Sequence, residues 1–199
     1  SPYKSVSAFA GNPYCIDLEA LYQDGLLSEA ELLAERNPNP YLCDFEALNK
    51  RYQLFLTVSK RITDRSSIEA FIKENPMLDD FCHFMALKAA NEDKPWWEFD
   101  SDVFEDTDVL FMHRFLQYTF FTQWKALRQY ANENGIKIIG DMPIYVDIDS
   151  ADVYANRENF LLDERGKPTL VAGVPPDYFA PEGQLWGNPL YNWAYMKKD

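Results

Sequence analysis

An aspartate follows directly on a short apolar segment that is typical of a buried strand. Asp141 comes after the residues IKIIG at 136–140, and Pro143 lies just beyond it. Ligands of α/β sheets gather at the carboxyl ends of the strands, so a carboxylate in this place could accept hydrogen bonds from two hydroxyls of one ligand. The alternative is an aspartate that caps the next turn through its own backbone. Both interpretations of Asp141 stay open at this point.

A second candidate is the segment GVPPDYFAPEGQLWGNPLY at 173–191. Its prolines and glycines predict an ordered loop rather than a core helix or core strand, and its aromatic residues argue against disorder. Aromatic rings offer flat apolar surface, and Gln184 and Asn188 offer amide donors and acceptors, a combination that suits a hydroxyl-rich neutral ligand such as a carbohydrate. The alternative is a loop that only covers an edge of the core with its rings, Tyr178, Phe179, Trp186 and Tyr191.

Signatures of several other chemistries are absent from the sequence. The chain contains no GxGxxG motif, no P-loop, no GxSxG motif and no HExxH motif, so nucleotide cofactors and those hydrolytic sites are not expected. His83 and His113 do not have the spacing of metal ligands, and three scattered cysteines fit reduced thiols in a cytosol. We therefore expect neither a cofactor nor a metal, and a cytoplasmic location.

The overall charge limits the class of partner. A formal net charge of −13 and a pI of about 4.5 disfavour binding to nucleic acid phosphates or to an anionic membrane surface. The sequence is 47% hydrophobic and 16% aromatic, which is enough to build a core and still supply rings to a site. No apolar run is long enough to span a bilayer. A neutral ligand is the class that remains.

The elements that must position these residues are mainly helical as far as Asn134. Ser28 and Glu31 have the spacing of a capping box, and Gly135 is a favourable left-handed end for the longest helix. Helices are expected after Ser28 and Asp44, on each side of Asn75–Pro76, over about 108–134 and, as one turn, within 149–156, with loops over 1–26 and 94–102.

The character of the sequence changes after Gly135. The residues IKIIGDMPIYV at 136–146 predict a buried strand, and a helix followed by glycine and strand indicates an α/β crossover. The residues FLLDERGKPTLVAG at 160–173 predict a hairpin around Arg165–Gly166. The sequence therefore favours an α/β fold that begins with helices.

Three segments resemble the amylomaltase or 4-α-glucanotransferase family, which includes the plant disproportionating enzyme. They are SPYKSVSAFAGNPYCIDL at 1–18, the residues 113–168 that contain GDMPIYV, and VAGVPPDYFAPEGQLWGNPLYNW at 171–193. The resemblance spans essentially the whole chain and is weakest over 27–105. It implies an α/β fold, part of a (β/α)₈ TIM barrel that carries a mainly helical insertion and an aromatic lid loop.

The same resemblance implies a division of the chain and a set of substrate-binding residues. Residues 1–26 would form a loop region beside the active site, 27–107 the helical insertion, and 108–199 a barrel helix, a barrel strand and the lid loop. Asp141 is similar to the family's aspartate that binds sugar hydroxyls, and Tyr14 to the aromatic residue beside the scissile bond. The lid loop would supply the other substrate-binding residues, Tyr178, Phe179, Gln184 and Trp186.

The family's catalytic motifs are not found in this sequence. Its nucleophilic aspartate, its acid/base glutamate and a third aspartate lie in strings such as RIDHFRG, and none of these strings occurs here. We therefore expect no catalytic residue in this chain, which would be a fragment that is inactive alone. Unpaired strand edges of such a fragment could lead to self-association.

The function that the resemblance implies is transfer of α-1,4-glucan segments to an acceptor glucan by retaining double displacement, without cofactor or metal. The expected partners are α-1,4-glucans and maltooligosaccharides, not nucleic acid or membrane. A non-catalytic α-glucan-binding module is the first alternative. A structural helical domain whose aromatic loop only covers the core is the second.

Overall fold

The computed structural model describes residues 4–39 and 41–198, which group into two compact units. One unit, here called the helical unit, comprises Gly11–Cys82 and Asp106–Ile139. The other, the hairpin unit, comprises the residues up to Ala10, His83–Glu105 and the residues from Gly140 onward. The chain passes between the two units after Ala10, Cys82, Glu105 and Ile139, and the second of these points lies within a helix.

The helical unit contains most of the predicted helices. Its core forms where α3 (Phe45–Ser59) and α4 (Ser66–Glu74) pack on the long helix α6 (Thr107–Glu133). The buried side chains there include Phe55, Val58, Phe115 and Leu116. The helices are α1 (Leu18–Gln23), α2 (Glu29–Ala34), α3 (Phe45–Ser59), α4 (Ser66–Glu74), the first part of α5 (Pro76–Ala90), and α6 (Thr107–Glu133). No helix within the described residues is long and apolar enough to cross a membrane.

Local sequence signals account for where these helices begin and end. The Ser28 hydroxyl accepts from the Glu31 backbone N–H while the Glu31 carboxylate accepts from the Ser28 backbone N–H, so the predicted capping box is confirmed. Asp44 caps α3 through the backbone N–H of Ala47. The predicted end of the longest helix is also confirmed, because Gly135 follows α6 with a φ of +75°.

The prediction of a loop over residues 1–26 is wrong in part. The Asp17 carboxylate accepts a hydrogen bond from the backbone N–H of Glu19 and begins α1, and a 3₁₀ turn precedes it at Pro13–Cys15. A helix of six residues is too short to show a clear apolar period, which explains why the sequence pattern did not reveal it.

The hairpin unit has an aromatic cluster at its centre. Tyr154 in the helix α7 (Ala151–Ala155) contacts Phe84, Trp96 and Phe99, with ring centroids 5.6, 6.1 and 6.0 Å apart. Trp96 is buried, and its indole N–H donates to the carbonyl of Ile148 at 2.7 Å. The predicted loop over 94–102 therefore holds a docked tryptophan, within a short 3₁₀ turn at Trp96–Glu98. A last short helix, α8, covers Trp193–Met196.

Two antiparallel strands form the sheet of the hairpin unit. Strand β1 (Val171–Val174) pairs with strand β2 (Gln184–Pro189), and the register places Gly173 opposite Leu185. A Cβ at Gly173 would lie 2.7 Å from the carbonyl oxygen of Gln184, so glycine permits this close approach. The expectation that 173–191 contains no strand is therefore wrong, because β2 lies within it.

The predicted strand over 136–146 is not observed. The described residues between Gly135 and Ser150 contain no strand, and Ile139, Met142 and Ile144 are exposed. A strand is defined by backbone hydrogen bonds to a neighbour, and no described segment pairs with this one. Apolar composition predicted the burial that a strand in a sheet would have, but it could not supply the partner.

The predicted hairpin around Arg165–Gly166 is confirmed as a short one, because the Asp163 N–H donates to the Lys167 carbonyl at 2.7 Å and the Thr169 N–H donates to the Leu161 carbonyl at 2.9 Å. The Gly166 backbone N–H donates to the Asp163 carbonyl at 2.9 Å, and a single bridge joins Leu162 to Pro168. The residues that follow the turn then pair with β2 instead of continuing that hairpin.

Candidate functional site

Tyr14 lies on the 3₁₀ turn of the helical unit, and α3 supports its side chain. The Asn12 side chain caps the turn by accepting from the Tyr14 backbone N–H at 3.0 Å. The Tyr14 hydroxyl donates to Oδ1 of Asn49, and the Tyr14 ring meets the ring of Tyr52 edge-on with centroids 6.4 Å apart. Helix α3 thus fixes both the hydroxyl and the ring of this half-buried tyrosine.

The side chains that lie behind Tyr14, Tyr52 and His113, are uncharged near pH 7. Burial, with a smaller contribution from Tyr14, raises the pKa of Tyr52 to about 12. On its other side Tyr52 contacts His113, a buried histidine of α6 whose pKa is lowered to about 4 by burial. Both groups are neutral near pH 7, so the rings behind Tyr14 pack as an apolar cluster.

In the hairpin unit, Gln184 and Trp186 form a pair on β2. Residues two apart on a strand point to the same face, and the indole N–H of Trp186 donates to Oε1 of Gln184 at 3.1 Å. This bond holds the amide oxygen against the indole, which leaves the exposed NH₂ group of Gln184 as a donor for a ligand. The pair combines an apolar surface with a hydrogen-bond donor.

A row of aromatic residues lies behind that pair. Tyr145 meets Trp186 edge-on with centroids 6.3 Å apart and stacks on Tyr191 at 6.0 Å with an interplanar angle of 17°. Burial, with smaller contributions from Asp152 and Tyr145, raises the pKa of Tyr191. Trp186 therefore packs against Tyr145, which in turn is stacked on Tyr191.

Sequence reasoning missed the roles of Tyr145 and Asn188. Asn188 was expected to offer its amide to a ligand, but it is buried and donates to the carbonyl of Val146 at 2.8 Å. It therefore anchors β2 to the segment that carries Tyr145. Tyr145 looked like one apolar residue among others in a predicted strand, and no spacing in the sequence distinguished it.

The tip between β1 and β2 presents two rings to solvent. Tyr178 is 94% and Phe179 is 89% exposed, and their rings meet edge-on at 5.5 Å. The Asp177 carboxylate accepts from the backbone N–H groups of Phe179 at 2.9 Å and Ala180 at 2.7 Å. Because an ordered turn holds these rings in water, covering the core does not explain them. Tyr191, by contrast, does pack against other residues of its unit.

Asp141 is exposed in the irregular segment of the hairpin unit. Within the part of the chain that the structure describes, no backbone N–H donates to its carboxylate, so the turn-capping interpretation has no support there. The structure thus brings together Gln184 with Trp186 and Tyr178 with Phe179. Asp141 belongs to the same unit, and Tyr14 lies in the helical unit.

A metal site would need several His, Cys, Asp or Glu side chains close together. Among residues 4–39 and 41–198, no group of three or more His, Cys, Asp or Glu side chains could hold a metal ion. The chemistry available to the described candidates is that of hydroxyl recognition, by aromatic faces, an amide and a carboxylate.

Comparison with known proteins identifies the family of this chain. The family description that matches residues 1–199 is that of the 4-alpha-glucanotransferases, glycoside hydrolase family 77. The chain belongs to this family. It is 41% identical over 223 residues to a 4-alpha-glucanotransferase of Clostridium butyricum and 41% identical over 216 residues to that of Thermus thermophilus.

A solved structure agrees with the sequence comparisons. The amylomaltase from Streptococcus agalactiae, solved in complex with acarbose, matches the whole of this chain with a TM-score of 0.87 at 35% identity. The chain covers 44% of that protein, 44% of the Clostridium butyricum protein and 43% of the Thermus thermophilus protein. It thus spans less than half the length of these relatives.

Proposed function

We propose that the full-length protein is a transferase that moves α-1,4-glucan segments from a donor glucan to an acceptor glucan. The observation that carries this proposal is membership of the 4-alpha-glucanotransferase family along all 199 residues. The exposed aromatic and amide groups of the hairpin support it, since they offer a surface suited to a neutral hydroxyl-rich chain. The substrates would be α-1,4-glucans and maltooligosaccharides.

The reaction would proceed by double displacement with retention. A carboxylate nucleophile attacks the anomeric carbon while an acid protonates the leaving oxygen, and a glycosyl-enzyme ester forms. The acceptor's hydroxyl then attacks the same carbon as the former acid takes its proton, which releases the carboxylate. We assign neither carboxylate to this chain, whose residues would bind and orient the glucan.

Each candidate would have a distinct part in binding. Asp141 would accept hydrogen bonds from sugar hydroxyls, and Tyr14 would lie beside the bond that breaks. The loop residues Gln184 and Trp186 would contact donor or acceptor sugars. The exposed tip, Tyr178 and Phe179, would close over the bound glucan. Closure would exclude water, which greatly outnumbers any acceptor hydroxyl and would otherwise hydrolyse the intermediate.

We place this site on a (β/α)₈ barrel. Residues 136–146 would act as a barrel strand once neighbouring strands pair with both of its edges, which accounts for their exposed isoleucines here. Residues 1–26 would border the active site, 27–107 would form a helical insertion, and 108–199 would carry the barrel helix, strand and lid. We also propose a cytoplasmic location.

Incubation of the full-length protein with maltotriose tests the proposal. Transfer would produce glucose together with maltooligosaccharides longer than the substrate. A non-catalytic glucan-binding module would bind maltotriose in calorimetry but leave it intact, and a structural domain would do neither. Either of those two results would contradict the proposed activity.

The isolated 199 residues give a second test. They should yield no transfer products from maltotriose, because the motifs that carry the family's carboxylates are absent from the sequence. They should also self-associate in light scattering, since 136–146 would lack pairing partners. Transfer at the rate of the full-length protein would show that the catalytic groups lie within this chain.

A further inference from the structure

Two glutamines of α6 hold the backbone of the segment that carries Tyr14. Oε1 of Gln117 accepts from the Gly11 N–H at 2.8 Å while its Nε2 donates to the Gly11 carbonyl at 3.0 Å. Gln123 repeats this arrangement at Asp17, accepting from the N–H at 2.8 Å and donating to the carbonyl at 3.1 Å. Each side-chain amide thus pairs with both backbone groups of one residue, as a neighbouring strand would.

We infer that Gln117 and Gln123 are positioning residues that fix the turn from which Tyr14 reaches the substrate. The inference rests on the proposed function for the role of Tyr14. Among the described residues, no hydrogen bond joins either glutamine to the Tyr14 side chain. The glutamines act on the two ends of the turn, at Gly11 and Asp17, and we call the pair the amide clamps.

The spacing of the clamps explains why the segment must turn. Gln117 and Gln123 are six residues apart on a helix that rises 1.5 Å per residue, so their attachment points are separated by about 9 Å along the axis. The chain from Gly11 to Asp17, six positions further on, would span about 20 Å if extended. The 3₁₀ turn at Pro13–Cys15 accommodates the excess length, and Tyr14 lies on this turn between Gly11 and Asp17.

The helix face between the clamps fits the same segment closely. Phe120 lies midway between the two glutamines in sequence, and a Cβ on Gly11 would come within 2.0 Å of its ring. Only glycine can lie this close to the ring. The clamps and the ring therefore set both the height of the segment above α6 and its register along it.

Burial makes the first clamp specific. Gln117 is fully buried, and its amide is satisfied by Gly11 on both sides. A shift of the segment by one residue would leave buried donors and acceptors unpaired, which is costly. Packing alone would not need an amide here, because an apolar side chain of the same length would fill the space.

The first test is amide hydrogen exchange in the full-length protein. Gln123→Met keeps the length of the side chain but removes both hydrogen bonds to Asp17, and we expect the Asp17 amide to exchange about fivefold faster. Gln117→Met should act in the same way at Gly11. Gln129→Met is the matched control, because Gln129 lies on the same helix and its only side-chain bond within the described residues is to Glu133 at 2.8 Å. Unchanged exchange at Gly11 and Asp17 in both clamp variants would overturn the inference.

The second test asks whether the clamps act through Tyr14. Gln123→Met should lower kcat/KM for maltotriose about tenfold in the otherwise unchanged enzyme and have little further effect in a Tyr14→Ala background. Equal losses in both backgrounds would show that Gln123 acts without Tyr14 and would overturn its positioning role. Gln129→Met again serves as the control, since it reports the cost of losing an amide elsewhere on α6 and should leave kcat/KM unchanged.

The two tests separate this inference from the proposed function. If the unaltered enzyme did not transfer glucan at all, the proposed function would fail while faster exchange in the clamp variants still supported the clamps. If transfer were normal and Tyr14→Ala left kcat/KM unchanged, the positioning of Tyr14 for the reaction would be overturned even though the clamps hold the turn.

Discussion

The molecule presents aromatic residues in two different ways. Tyr14 lies on a turn whose two ends are bonded to α6 by Gln117 and Gln123. Tyr178 and Phe179 lie on a tip whose main side-chain support, Asp177, belongs to the tip itself. The first turn is held by another element, and the second is held mainly from within.

The difference in support implies a difference in motion. To move the Tyr14 turn, several hydrogen bonds and the contact with Phe120 must be broken together. The bonds that the Asp177 carboxylate accepts lie within the tip, so a movement of the tip about its two strands would leave them intact. A group that must stay beside a reacting bond suits the first arrangement, and a lid that must open for substrate suits the second.

The largest effect is expected from a methyl group beneath the Tyr14 turn. In Gly11→Ala the new Cβ would lie 2.0 Å from the Phe120 ring, so either the ring or the turn must move. We expect a loss of about 3 kcal/mol in the free energy of unfolding, together with a loss of transfer activity. Chemical denaturation of the variant measures the first, and kcat/KM with maltotriose measures the second.

Gly140→Ala is the control for that substitution. Gly140 has nothing within 4 Å of the Cβ position and no positive φ, so alanine should cost little there. If the two alanine variants were equally stable, the turn would not be held tightly against α6, and the contrast with the tip would disappear.

The second-largest expected effect is a loss of stability of the helical unit at acid pH. His113 is buried beside Tyr52, its Nδ1 has no hydrogen-bond partner among the described residues, and burial lowers its pKa to about 4. In the unfolded chain, His113 takes up a proton near pH 6.5. The free energy of unfolding therefore has its full value above that pH and decreases as the pH falls towards 4. From pH 7 to 4.5 this histidine should account for a loss of about 2 kcal/mol.

Comparison of His113→Phe with the unaltered protein isolates this contribution, since other groups titrate equally in both. The difference between their free energies of unfolding should change over this pH range. His83→Gln serves as the control because His83 is more exposed and lies 2.8 Å from Glu105. If His113→Phe kept the full acid dependence, the buried histidine would not be the cause.

How far the sequence predicted this structure depends on where each element finds its hydrogen bonds. The helices from Ser28 to Asn134 satisfy their own backbones, and the caps at Ser28 and Asp44 could be recognised without any tertiary information. The segment 136–146 needs neighbours to become a strand, so its apolar composition alone was not enough. The same holds for β2, which pairs with residues ten or more positions away.

In the candidate site, too, some residues could be predicted from the sequence and others could not. The resemblance pointed to Tyr14, Asp141 and the loop residues, because these lie in distinctive strings. The groups that hold them, such as Tyr145 and the two clamping glutamines, could not be predicted. Nothing in the spacing of Gln117 or Gln123 reveals a partner that lies 106 residues earlier in the chain.

The third effect separates two kinds of residue in the hairpin unit. Asp141→Asn should lower transfer and hydrolysis together by about tenfold, because a charged acceptor of hydroxyl hydrogen bonds would be lost from both reactions. Trp186→Ala should instead raise the share of hydrolysis, since it would remove a ring that we propose helps to exclude water. Free glucose measured against total bond turnover distinguishes the two outcomes.

Trp97→Ala is the control for the tryptophan variant. Trp97 is 38% exposed in the same unit but lies outside the segment 173–191. An equal rise in hydrolysis for Trp97→Ala, or an unchanged ratio for Trp186→Ala, would mean that the loop does not act as a lid.

The smallest effect tests how the tip is held. Asp177→Ala removes two hydrogen bonds to backbone N–H groups, and we expect the Phe179 and Ala180 amides to exchange about fivefold faster. Asp163→Ala is a matched control, because the Asp163 carboxylate also accepts from two backbone N–H groups, those of Arg165 at 2.9 Å and Lys167 at 2.8 Å.

Both variants should loosen their own turns to a similar extent. Only Asp177→Ala should change the ratio of hydrolysis to transfer, by about twofold, because only its turn carries the exposed rings. Equal ratios in the two variants would show that order within the tip does not matter to the reaction, and the contrast with the clamped Tyr14 turn would then rest on stability alone.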